Sequence, residues 1–180
     1  MLFRSEGAAI FVLETLDSAR ARGATPLCEL AGYGTTSDAF DPLRADVEGP
    51  TRSMQLALAS AGLDPREVHY LNAHGTATYA NDITESEAMR AVFGATPPPV
   101  SSTKPVHGHA LGASGGLELV VTINALREQI APPTINFLEP DPKCQVDPIP
   151  NNARKMSISV AMSNSFAFGG INATLVIKSI

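Results

Sequence analysis

Residues 155–178 read KMSISVAMSNSFAFGGINATLVIK. Two β-prone runs, KMSISVAMSNSF and INATLVIK, flank the short Ala167–Gly170 connection. A link this short between two strand patterns predicts a hairpin, so at least one strand pair is antiparallel. Upstream, strand patterns alternate with helix patterns, which predicts parallel crossovers. Together these readings give an α/β class: a mixed sheet with helices on both faces.

Working back from the hairpin, strands are expected near residues 130–136 and at PVSST (99–103), VHYLNA (68–73) and PLCELAGYG (26–34). GAAIFVLE (7–14) reads as a further strand buried on both faces. Helices are expected over Thr51–Ala61, Asp82–Phe93 and Leu111–Gln129. Met54 and Leu58 share a face at the i, i+4 spacing. Asp82 and Glu85 have the D-x-x-E spacing of a helix amino-terminal cap. TTSDAFDPLRADVEGP (35–50) reads as a polar loop, and Thr15 or Asp17 caps a short helix that Gly23 stops.

The 180 residues fit a single domain, 1–180. Charged residues are only 17% and the formal net charge is −5, which argues against a nucleic-acid partner. No apolar run reaches membrane-spanning length and no secretory leader pattern precedes residue 7, so the expected location is the cytoplasm. Two isolated cysteines, Cys28 and Cys144, make no disulfide framework.

Three segments carry chemistry. NAHGTAT (72–78) follows a strand directly, where ligand sites of α/β sheets lie. A histidine there can donate to an oxyanion or exchange a proton, and two threonines can line an extended ligand. STKPVHGHALGASGG (102–116) joins a strand to a helix without the order of a phosphate-binding P-loop. Glu118 follows in an almost wholly apolar helix, and a buried carboxylate needs a partner, so a Lys104–Glu118 pair beside His109 is expected. The third segment is NSFAFGGINA (164–173), a tight turn with two aromatics and two glycines, suited to gating a pocket. His107, His109 and His74 offer a zinc reading with three nitrogens, the weaker alternative.

In this order and approximate spacing, NAHGTAT, STKPVHGHALGASG and NSFAFGGINA resemble the β-ketoacyl carrier-protein synthases, nearest to the elongating type II enzyme. EGAAIFVLETLDSARARGA, APPTINFLEPDP and CQVDPIPNNAR extend the resemblance over nearly the whole chain. It implies the thiolase-like fold, of which this chain resembles the carboxy-terminal half, a βαβαβαββ unit. The implied reaction is decarboxylative Claisen condensation of an acyl thioester with malonyl-carrier protein, in fatty-acid or polyketide synthesis.

By resemblance, His74 and His109 are the catalytic histidines, Lys104 the catalytic-site lysine and Glu118 its partner. Thr76 and Thr78 match the hydroxyls that hold a phosphopantetheine arm. Phe168 matches a gating phenylalanine, with Gly169 and Gly170 in its moving loop. No metal and no resident cofactor are implied, since the phosphopantetheine arm arrives on the acyl carrier protein. A homodimer is expected.

The family's nucleophilic cysteine belongs to the amino-terminal half, and neither Cys28 nor Cys144 sits at a helix start. The chain is therefore expected to need that half, or a partner subunit, and to be inactive alone. The alternatives are a non-catalytic partner similar to the chain-length factors, and a thiolase. Retention of both histidines argues against the first. The absence of a cysteine in residues 166–170 argues against the second. His107 and Ala167 stand where the family usually has small or polar residues, often Gly at the latter.

Overall fold

The computed structural model describes residues 4–41 and 46–180. In chain order the elements are α1 (Leu16–Ala21), β1 (Glu29–Ser37), α2 (Glu48–Ala61), β2 (Tyr70–Asn72), α3 (Tyr79–Phe93), β3 (Val100–Ser101), α4 (Lys104–His107), α5 (Ser114–Glu128), β4 (Ile130–Ala131), β5 (Arg154–Lys155), β6 (Val160–Ala167) and β7 (Ile171–Lys178). Five strands form one sheet in the order β1-β7-β6-β2-β3. The β6–β7 hairpin is antiparallel, with Ala167 opposite Ile171, and β1 runs antiparallel to β7. β2 is parallel to both β6 and β3. The mixed sheet and the terminal hairpin are as the sequence predicts.

The two faces follow the two-residue period of the strands. Leu71, Val160, Met162 and Val176 point to one side and pack with Met54, Leu58 and Met89 of α2 and α3. Their neighbours Tyr70, Ala161 and Ile177 point to the other side and pack with Ile123 and Leu126 of α5. Burying an apolar side chain of this size is worth about 1.5–3 kcal/mol, so the two layers hold the sheet from both sides.

Several expectations need correction. Residues 7–14 join no strand ladder. They run extended across α5, with Ala9 and Phe11 turned toward Gly116 and Ile10 93%, Val12 82% and Leu13 73% exposed. The alternation holds over residues 9–12 and breaks at Leu13, and no strand among the described residues pairs with the segment. The loop expected over 35–50 is shorter at both ends: β1 runs through Ser37 and α2 starts at Glu48, with 42–45 outside the described residues. Cys28 lies just before β1, not inside it. The strand near 130–136 is only two residues long and pairs with β5 in a separate small sheet.

Thr15 caps α1 as expected, accepting from the Ser18 N–H. The cap proposed for Asp82 and Glu85 is not one. The α3 cap position is Thr78, which puts Glu85 well inside the helix.

Candidate active site

β2, β3 and β6 run parallel, so their carboxyl ends open on the same edge of the sheet. Each sends one arm into the site. His74 follows β2, Lys104 and His109 follow β3, and Phe166 lies at the end of β6. The His74 and His109 rings meet edge to face, with centroids 5.6 Å apart. The Phe166 ring stands 5.8 Å from His74.

The network assigns the tautomer of both histidines. Lys104 Nζ lies 3.4 Å from His74 Nδ1 and donates to the His74 carbonyl. An ammonium only donates, so His74 Nδ1 accepts and the proton sits on Nε2. The Leu111 N–H donates to His109 Nδ1 at 3.1 Å, with Ser114 Oγ 2.9 Å from the same nitrogen. A backbone amide also only donates, so His109 likewise carries its proton on Nε2.

Burial, followed by the charge of Lys104 and the nearness of His109, lowers the His74 pKa to about 3. Burial and then Lys104 lower that of His109 as well. Two neutral imidazoles, each a donor through Nε2, are thus held side by side at neutral pH.

Lys104 and Glu118 form the expected buried ion pair, at 6% and 0% exposure. The lysine also bonds His74, whose ring meets that of His109. Burial pushes the Glu118 carboxyl up, against the downward pull of Lys104. Its Oε2 and the Asn72 Oδ1 are buried without a hydrogen-bond partner among the described residues.

Glu85 is the residue that sequence reasoning assigned wrongly. It is 2% exposed and accepts the backbone N–H groups of His74 and Gly75, one on each oxygen, at 2.9 Å. Asn164 of β6 donates to the same carboxylate at 3.2 Å, and Asn81 at 3.3 Å. A single buried carboxylate therefore ties α3, β6 and the turn that carries His74. The available signal was the i, i+4 spacing of Asn81 and Glu85, which places them together on α3.

The remaining expected residues divide. Thr76 is buried at 8% and its hydroxyl lies 2.8 Å from that of the exposed Thr78. Thr76, Lys104 and His109 line a cavity of about 660 Å³, with Asp82, Phe137 and Cys144 on other walls. Phe168 is 81% exposed at the hairpin tip, where Gly169 (φ 82) and Gly170 (φ 71) turn the chain. The aromatic against His74 is Phe166.

Burial raises the pKa of both Cys28 and Cys144, away from the reactive thiolate. The zinc reading finds no support. The nitrogens of His107 face Thr103 and Gly108, and no group of three or more metal-binding side chains is placed together among the described residues.

Comparisons with known proteins agree with this geometry. Residues 27–138 match the family model described as "Beta-ketoacyl synthase, C-terminal domain". The chain is 47% identical over 181 residues to "Nodulation protein E" of Rhizobium sp. (strain N33), covering 99% of this chain and 45% of that protein. It is 47% identical to "3-oxoacyl-[acyl-carrier-protein] synthase 2" of Staphylococcus aureus (strain COL), over 96% of this chain and 43% of that one. Among solved structures, "The ishigamide ketosynthase/chain length factor" matches with TM-score 0.98 at 41% identity, over 99% of this chain and 44% of the other. A β-ketoacyl synthase from Burkholderia phymatum STM815 matches with TM-score 0.90 at 42% identity, over 93% and 41%. The chain thus spans less than half the length of these relatives. With the thiolase-like fold and the matched residues in place, this chain belongs to the β-ketoacyl synthase family and corresponds to its carboxy-terminal domain.

Proposed function

We propose that residues 1–180 form one domain, the decarboxylating half of a β-ketoacyl-carrier-protein synthase. The observation that carries this reading is the pair of neutral imidazoles, His74 and His109, with both Nδ1 atoms occupied as acceptors. Donors fixed in a largely buried site stabilise charge as it develops on a thioester oxygen. The bond between the malonyl carboxylate and the adjacent carbon breaks. CO₂ leaves, and the electron pair moves into an enolate whose oxygen the Nε2–H groups receive. The enolate carbon then attacks an acyl thioester, and the thiolate of its carrier cysteine departs.

That cysteine would come from the amino-terminal half of the family's fold or from a partner subunit, since Cys28 and Cys144 are unsuited to the role. Lys104, paired with Glu118, holds the His74 tautomer, and burial together with its charge keeps both rings uncharged. Thr76 and Thr78 would receive the phosphopantetheine arm of an acyl carrier protein, and Phe168 with Gly169 and Gly170 would gate the approach. No resident cofactor or metal is required by this chemistry. A homodimer in the cytoplasm fits the reading, and no described helix is long and apolar enough to cross a membrane.

The test is CO₂ release from malonyl-carrier protein by this chain co-expressed with a cysteine-bearing amino-terminal half. His74→Ala and His109→Ala should each reduce the rate by about a hundredfold, the scale of losing one oxyanion donor. Unchanged rates in both variants would remove the assignment. A second reading, a non-catalytic partner, draws on the likeness to a ketosynthase/chain length factor assembly. It predicts no decarboxylation together with tight binding to a separate ketosynthase. Retention of His74, His109 and Lys104 favours the first.

A further inference from the structure

Helix α4 is a single turn, yet it separates two residues of the site. Lys104 opens it, and His109 comes two residues after its end at His107. A turn this short has little stability of its own. His107 spans it. Its Nε2 lies 3.1 Å from the buried Thr103 hydroxyl, just before the helix. Its Nδ1 lies 2.8 Å from the Gly108 carbonyl, just after it.

The chemistry of the acceptor fixes the direction of the chain of bonds. A carbonyl oxygen only accepts, so Nδ1 carries the proton, and the Nε2 lone pair is left to accept the Thr103 O–H. His107 is therefore the opposite tautomer from His74 and His109. The carbonyl it holds belongs to the peptide unit that includes the His109 nitrogen. That peptide follows a left-handed residue, Gly108, with φ 74.

We propose that His107 is a positioning residue: a clasp from Thr103 to Gly108 that fixes the Gly108–His109 peptide and so aims the His109 ring. The clasp deepens the decarboxylation reading and rests on it for its kinetic consequence. It makes no demand on the substrate. Its effect falls on the chemical step rather than on binding, because it acts through the ring that meets the developing charge.

The test uses the co-expressed two-half protein and two variants. His107→Leu keeps bulk and removes both bonds. Its kcat for decarboxylation should fall by roughly tenfold or more with KM nearly constant, since misplacing a reacting group by about an ångström costs up to about a hundredfold. His107→Asn keeps a donor near the Nδ1 position and should recover most of that loss. Long-range proton–nitrogen NMR of histidine-labelled protein should find the His107 proton on Nδ1. A leucine variant with unchanged kcat, an asparagine variant no better than leucine, or a proton on Nε2 would each overturn the clasp. If His74→Ala and His109→Ala leave decarboxylation intact, the functional reading has failed instead, and the NMR result still judges the clasp.

Discussion

At the scale of single residues, Glu85 is the group whose loss should be felt furthest from its own position. Its two oxygens take one backbone N–H each, from His74 and Gly75. Glu85→Gln would turn an NH₂ toward one of those donors. The expected result is a loss of about 1–3 kcal/mol in unfolding free energy, the cost of leaving a buried donor unpaired. Decarboxylation should fall with it, because the turn carrying His74 loses its anchor. Urea unfolding and CO₂ release on the same preparation check both, and an unchanged kcat would show that the turn holds without Glu85. His74, His109, Lys104 and Glu118 were legible in the sequence. The first three sit in motifs that follow strands, and a carboxylate among apolar residues demands a cation. Glu85 was not legible, because its main partners are backbone N–H groups, which leave no trace in side-chain spacing. The contact of Phe166 with His74 was not legible either, since it forms between segments far apart in sequence.

At the scale of elements, β1 packs closely on α2 through its glycines. A Cβ added to Gly34 would lie 2.1 Å from the Ser53 carbonyl oxygen, and one at Gly32 would lie 2.4 Å from that of Ala57. Backbone atoms of a helix cannot move aside singly. Gly34→Ala should therefore destabilise by about 3 kcal/mol or more, the upper range for overpacking. Gly112→Ala, with nothing within 4 Å, serves as the control. Thermal melts of the two variants decide it, and equal melting temperatures would contradict the packing. The helices and the terminal hairpin were readable because apolar periodicity and turn residues are local. The segment 7–14 was misread as a paired strand because its composition is that of a strand, while pairing depends on a neighbour that sequence pattern cannot supply.

At the scale of the whole molecule, that segment leaves Ile10, Val12 and Leu13 exposed in a row beside α5. Contiguous apolar surface of this kind marks a face made to be covered. This chain studied alone should bind an environment-sensitive apolar dye strongly and self-associate. Ile10→Asp with Val12→Asp should reduce both by severalfold while leaving circular dichroism unaltered. Dye binding that does not change would place the apolar surface elsewhere.

The strand order β1-β7-β6-β2-β3 also governs when the protein can exist. Among the described residues β1 pairs with β7, and β2 is joined to β1 through β6 and β7. During synthesis from the amino terminus, β1 must therefore wait for β7. His74 and Lys104 are made long before the Phe166 that stands against His74. Closing contacts across such separations is slow, because the entropy of loop closure is lost before the contacts reward it. A chain stopped short of residue 160 would keep most of the site's polar residues and lack the two strands that join β1 to β2 and β3.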